Sequence, residues 1–149
     1  MRLILQRVSS AAVRVDGETI AEIGRGLLVL AGVERGDGPA QAAKAAAKLS
    51  GLRLFEDADG KMNLNLAQVG GAVLLVSQFT LAGSLKKGRR PSFERAADPE
   101  LAALLIERLA SELRQRSVPV SCGRFGAHME VDSVNDGPVT FVLDMPSGG

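Results

Sequence analysis

Apolar and polar positions first alternate in pairs along this chain, then switch twice to helical spacing. Residues 1–8 and 12–15 read as strands. Asp16-Gly17 is a two-residue hairpin signal, because both types tolerate positive φ, and residues 18–23 form the predicted return strand. Residues 24–26 make a turn. Residues 27–33 are a continuous apolar run, the pattern of a strand covered on both faces. Gly36, Gly38 and Pro39 break the chain, and residues 40–54 follow as an Ala-rich predicted helix. Pro39 suits its first position, and Lys44 and Lys48 fall on its outer face.

The second half is less regular. Residues 56–60 form a turn, 63–68 are short and irregular, and Gly70-Gly71 punctuates them. Residues 72–79 are another apolar strand. Residues 80–95 carry many charges without periodicity and read as a loop. Asp98-Pro99 is a cap-and-start signal for a helix with Leu101, Leu104, Leu105, Leu109 and Leu113 on one face. Late strands are expected at 118–121, 129–134 and 139–143, and a frayed tail at 146–149. Strands, helix, strand, helix, strands is not a regular alternation. It predicts a mixed α/β fold of largely antiparallel sheets with two main helices packed against them. No repeat or linker interrupts it, so residues 1–149 are expected to form a single domain.

Composition narrows the picture. The length of 149 residues suits one domain with a self-sufficient core. Aromatics are 3%, with no Trp or Tyr, so Val, Leu, Ile and Ala must build that core. A net charge of +1 excludes a general polyanion binder and leaves only a local basic patch for nucleic acid. The one cysteine, Cys122, allows no internal disulfide and fits a reducing compartment. The first residues do not resemble a signal peptide, and no apolar run reaches the roughly eighteen residues of a membrane span. A cytoplasmic protein without a membrane partner is expected.

Several chemistries drop out. His128 is the one histidine, and no Gly-x-Ser-x-Gly turn exists to support a serine triad. A His–Cys dyad could use only Cys122 and His128. Cys122 reads better as a small buried apolar residue, and His128 as a solvated one. No cluster of His, Cys and carboxylates has metal-ligand spacing, so neither a metal nor a cofactor is expected. The stretch Gly83-Ser84-Leu85-Lys86-Lys87-Gly88-Arg89 lacks the Lys-Ser/Thr pair of a phosphate-binding loop.

Three segments remain, each with an ordinary alternative. Ser77-Gln78-Phe79-Thr80 lies where an apolar strand meets a charged loop. Free amides at such an end can bind a carbonyl oxygen as charge grows on it, or the hydroxyls can simply satisfy the backbone. Lys86, Lys87, Arg89, Arg90 and Arg95 cluster as for a phosphate backbone, or form a solvated loop. Asn135-Asp136-Gly137-Pro138 reads locally as a hairpin turn.

Taken together, these segments resemble the bacterial-type D-aminoacyl-tRNA deacylases over nearly the full length. Further matching stretches are Gln6-Arg7-Val8-Ser9-Ser10-Ala11, Gly26-Leu27-Leu28-Val29-Leu30, Phe55-Glu56-Asp57 and Lys61-Met62-Asn63-Leu64. Val76-Ser77-Gln78-Phe79-Thr80-Leu81, Lys87-Gly88-Arg89-Arg90-Pro91-Ser92-Phe93, Gly123-Arg124-Phe125-Gly126-Ala127 and Asn135-Asp136-Gly137-Pro138-Val139-Thr140 complete the set. Gly83-Ser84 departs from the Asp-Thr usual in the family. Ser77, where the animal-type relatives carry proline, favours the bacterial-type group. The short chain and Gly137-Pro138 argue against the similar editing domain of archaeal threonyl-tRNA synthetases.

The resemblance implies a barrel-like roll and a homodimer, with aminoacylated tRNA as partner and no DNA. It implies hydrolysis of the ester between a D-amino acid, or glycine mischarged on alanine tRNA, and the terminal adenosine. Gly137 and Pro138 would be a cis pair entering the partner subunit's pocket and rejecting L side chains. The Phe79 and Thr80 amides would polarise the ester carbonyl, Gln78 would position the ribose and Ser77 would brace the strand end. The substrate's own 2′-hydroxyl would replace a protein base. Arg7 would pin Gly-Pro, Phe125 and Met129 would line the pocket, and Lys86, Lys87, Arg89 and Arg90 would meet tRNA phosphates. The alternatives are a non-catalytic RNA-binding module, and a D-amino ester hydrolase with Thr80 as nucleophile.

Overall fold

The computed structural model describes residues 1–147. Its central element is β1 (Arg2–Val15), which pairs antiparallel with β2 (Glu18–Ile23), β3 (Gly26–Gly32) and β8 (Glu130–Asp144). β3 then pairs in parallel with β6 (Ala72–Ser77), and β6 in parallel with β7 (Val120–Cys122). Ser121 Oγ donates to the Glu22 carbonyl at 3.5 Å, drawing β7 toward β2, so the six-stranded sheet nearly closes into a barrel. β4 (Phe55–Glu56) and β5 (Met62–Leu64) form a separate small hairpin. The expected mixed fold is present, with parallel pairing confined to β3, β6 and β7.

Those strands show why the sequence lost its alternation there. Leu27, Val29, Ala31, Val73 and Leu75 face a core shared with the helices, whereas Leu28, Leu74 and Val76 face the barrel interior with Val8, Ala11 and Val13. Both faces are covered, so both parities are apolar. α1 (Pro39–Gly51) and α3 (Pro99–Gln115) close the outer core through Ala42, Ala45, Leu49, Leu105, Leu109 and Leu113.

Several boundaries differ from expectation. The gap predicted at 9–11 is absent: β1 runs through, with Ser9 and Ser10 exposed at an irregularity opposite β8. α1 stops at Gly51, and Leu54 and Phe55 enter the core from extended chain. Leu104 is 63% exposed, because Ala102 and Ile106 complete the buried stripe of α3 instead. Asp98 occupies the cap position of α3 but its side chain makes no capping bond. Residues 62–69 are ordered as β5 and the one-turn helix α2 (Leu66–Val69), capped reciprocally by Asn65 and Gln68. The two late strands expected at 129–134 and 139–143 are one strand, β8. Of the expected frayed tail, Pro146 and Ser147 are described and Gly148-Gly149 lie outside the described residues.

The buried face of α3 includes one carboxylate. Glu112 accepts hydrogen bonds from Arg116 and Arg108, each at 2.9 Å, and these arginines hold its carboxyl below the usual carboxylate range. A depressed carboxylate stabilises the fold above its unfolded titration, about pH 4.3, and that contribution is lost as pH falls through the lower folded value. Glu112→Gln should therefore lower the unfolding temperature at pH 6. The gap to the native protein should close below about pH 4. A gap that stays constant across this range would refute the assignment.

Candidate active site

β6 ends at Ser77, which pairs with Ala31, and the Gln78 amide continues the ladder by donating to the Ala31 carbonyl at 2.8 Å. The chain then coils into a 3-10 turn, Phe79–Ala82. The Phe79 and Thr80 amides open this turn, where no earlier carbonyl of the turn can take them. Neither is taken up within the turn, which leaves both available to an incoming oxygen. The Gln78 side-chain amide donates to Thr80 Oγ1. The Thr80 hydroxyl is therefore held by an amide, with no base beside it.

Gly32 lies under the turn. A Cβ there would stand 2.8 Å from the Leu81 Cβ and 2.9 Å from the Gln78 carbonyl oxygen, so the turn can sit this close only over a glycine. The exposed Phe79 ring packs at a tilt against Phe93, with centroids 5.1 Å apart.

A cavity of about 480 Å³ opens in front of this turn. Ser77, Gln78 and Phe79 form one side, and Phe125, Gly126, Ala127, His128 and Met129 another. Its apolar wall comes from Val33, Ala97, Pro99, Ala102 and Ile106, at the N-terminal end of α3. Gly123 lets Met129 fold inward, since a Cβ there would be 2.8 Å from the sulfur. The structure thus unites the expected Ser77, Gln78, Phe79, Phe125 and Met129. It adds His128, which the sequence places in solvent, and the α3 wall, which the sequence does not single out. Their signal was no different from that of any amphipathic helix start.

Thr80, Arg7, Gly137 and Pro138 do not line this cavity. The last three meet elsewhere. Gln6 pairs with Thr140 and Val8 with Asn135, so Arg7 alone faces residues 136–139, which bulge out of β8. Asn135 closes the bulge: its Oδ1 accepts from the Val139 amide at 2.9 Å and its Nδ2 donates to Thr140 Oγ1 at 3.1 Å. The Gly137-Pro138 bond is cis, and both residues are exposed. Gly137 has φ +151°, and a Cβ there would sit 2.6 Å from Val139 Cγ2. Arg7 is only 5% exposed. Its Nε donates to the Asp136 carbonyl at 3.0 Å and its Nη1 to the Leu54 carbonyl at 2.9 Å. Glu56 and Asp136 carboxylates balance its charge at 3.6 Å.

The basic segment is a closed loop. Ser84 and Ser92 exchange backbone hydrogen bonds at 2.7 and 2.9 Å, leaving Lys86, Lys87, Arg89 and Arg90 exposed beyond them. Arg95 stands apart, paired with Glu34 at 2.9 Å. Cys122 is half-buried rather than fully buried, with Arg114 3.9 Å from its sulfur, and His128 is exposed. Among the described residues no three His, Cys, Asp or Glu side chains converge as metal ligands.

The matching family model and the curated relatives share one chemistry in their names. The family model described as D-Tyr-tRNA(Tyr) deacylase matches residues 4–144. A D-aminoacyl-tRNA deacylase of Methylococcus capsulatus is 53% identical over the whole of both chains. Another, of Anaeromyxobacter dehalogenans, is 57% identical over 97% of each. Among solved structures, one titled c-Myc DNA Unwinding Element Binding Protein has a TM-score of 0.93 at 38% identity, covering 99% of this chain and 100% of its own. A probable eukaryotic D-amino acid tRNA deacylase has a TM-score of 0.81 at 19% identity, covering 97% and 98%, and so shares the fold.

Proposed function

This chain belongs to the D-Tyr-tRNA(Tyr) deacylase family and is a D-aminoacyl-tRNA deacylase, a hydrolase acting on ester bonds, and from that premise we propose how its residues do the work. The observation that carries the proposal is the 3-10 turn at the cavity mouth. The ester carbonyl of the charged tRNA lies on the Phe79 and Thr80 amides. Gln78 orients the terminal ribose, and Ser77 fixes the strand end beneath it. Water attacks the carbonyl carbon, and the amide pair stabilises the oxyanion of the tetrahedral intermediate. The bond to the 3′-oxygen then breaks, releasing the D-amino acid and the tRNA hydroxyl. With Thr80 bound to Gln78 and no adjacent base, the substrate's 2′-hydroxyl relays the proton. The apolar α3 wall, with Phe125 and Met129, holds the terminal nucleoside. That part is common to every charged tRNA, so binding there does not depend on the amino acid.

We further propose a single-domain homodimer in which Gly137-Pro138, held by Arg7, enters the partner's cavity and excludes L side chains and not glycine. The bulge is exposed and absent from its own cavity, which supports this assignment. So does the rest of β8, which exposes Val134, Phe141 and Val142 and pairs with no strand but β1 among the described residues. Lys86, Lys87, Arg89 and Arg90 meet tRNA phosphates. No described helix is long and apolar enough to cross a membrane, and we place the enzyme in the cytoplasm without a DNA partner.

The deciding assay compares tRNA charged with D- and L-tyrosine. Release of the D form alone is expected, and equal release of both would sink the exclusion account. Thr80→Ala should retain turnover, whereas 2′-deoxyadenosine at the tRNA terminus should abolish it. A dead Thr80→Ala enzyme would revive the nucleophile. Salt-sensitive binding without cleavage would indicate a binding module instead. Excess duplex DNA should not inhibit.

A further inference from the structure

Leu85 is 81% exposed, the most exposed of the large apolar side chains, and it lies at the edge of the cationic loop. An isolated exposed leucine is ordinary, but the geometry around this one is not that of a slack loop. The Ser84–Ser92 backbone pair closes the neck on one side of it. On the other side, the Lys86 amide donates to Ser84 Oγ at 3.3 Å. Gly88, at φ +66°, turns the tip, and Lys86, Lys87, Arg89 and Arg90, all exposed, follow the leucine along it. The neck is also tied to the reaction site. Phe93 fills the space over Gly83, where a Cβ would be 2.9 Å from its ring, and packs on Phe79 of the amide turn.

An exposed apolar side chain followed by four exposed cations on a loop closed at its neck fits a flat apolar face rimmed by phosphates. The end of an RNA duplex has that form. Where a single-stranded 3′ end leaves the helix, the last base pair exposes its π-face, and both backbones pass beside it. We propose that Leu85 covers the terminal base pair of the acceptor stem while the flanking cations hold its phosphates. This inference rests on the tRNA path proposed above. It makes Leu85 a positioning residue: it holds the duplex at a fixed distance from the amide turn, so that the single-stranded 3′ nucleotides reach the cavity. Contact with a stacked face is independent of sequence, as an enzyme serving many tRNAs requires.

The test compares full-length D-tyrosyl-tRNA with D-tyrosine esterified to the 3′-terminal CCA trinucleotide, which has no duplex end. For Leu85→Ala, the preference in kcat/KM for tRNA over trinucleotide should fall about tenfold, carried by KM. Leu85→Met should restore it. A preference that does not change overturns the proposal, as does an equal loss on both substrates. Lys87→Gln/Arg89→Gln is read alongside, through the salt dependence of KM for tRNA. If its slope flattens while Leu85→Ala changes nothing, the base-pair contact fails and the phosphate path stands. If neither variant moves tRNA binding, both are overturned.

Discussion

Arg7→Met is expected to lower stability by about 2 kcal/mol, the cost of leaving the buried Leu54 carbonyl and the half-buried Asp136 carbonyl without their donor. It should also cut deacylation of D-tyrosyl-tRNA about a hundredfold. Methionine keeps most of the apolar stem, so packing is nearly preserved and the loss isolates the guanidinium. Two carbonyls lose their donors. Leu54 lies at the entry to β4, and Asp136 opens the bulge that carries Gly137-Pro138. Arg7 bridges them, and a lysine could not reach both with a fixed fork. The stability loss should appear as a lower urea midpoint with an unchanged slope. The activity loss should persist at temperatures where the variant is fully folded. If Arg7→Met unfolds at the native midpoint, or turns over at the native rate, the clamp has no such role.

Gly32→Ala should act on the opposite wall of the reaction. Its methyl group would lie 2.8 Å from Leu81 Cβ and 2.9 Å from the Gln78 oxygen, too close for either to stay. β3 is fixed by ladders on both sides, so the 3-10 turn must yield. Overpacking of this kind costs about 1–3 kcal/mol. The greater effect is on geometry: a displacement of about 1 Å at a catalytic group can cost about a hundredfold in rate. Gly32→Ala is therefore expected to lower kcat about a hundredfold while KM changes little. An intact kcat in the folded variant, or a loss carried by KM alone, would show that the amide turn is not where the oxyanion forms.

Local chemistry in the sequence was enough for elements whose causes are local. Asp16-Gly17 adopts positive φ at both residues, as its hairpin required, and Pro39 and Pro99 each begin a helix. Ser77 to Phe79 stand at a cavity because a continuous apolar strand gives way there to charge. What escaped depends on pairing across the chain. Residues 135–138 look like a turn between two strands. Only the pairing of Asn135 with Val8 and of Thr140 with Gln6, more than a hundred residues earlier, makes them part of a bulge inside one strand. Leu104 fits the helical stripe as well as Ile106 does, and the way α3 lies against α1 and the core decides which of them is buried. The cavity wall was hidden for a similar reason: Ala97, Pro99 and Ala102 differ from core residues only in what lies opposite them.

The same bulge has a consequence for how this protein can change length. Arg2 to Gln6 meet β8 in one register, and Ser10 to Arg14 meet it in another that is displaced by two residues. An even displacement keeps odd residues beside odd ones, so Ser133 and Val131 lie opposite Ala11 and Val13 just as Phe141 and Leu143 lie opposite Leu5 and Leu3. Insertions or deletions here are therefore quantised. Two residues more or fewer would lengthen or shorten the projecting finger and leave the rest of the sheet as it is. A single residue would turn half of the strand over, exposing Val139 and Leu143 and setting Thr140 and Asp144 in their places.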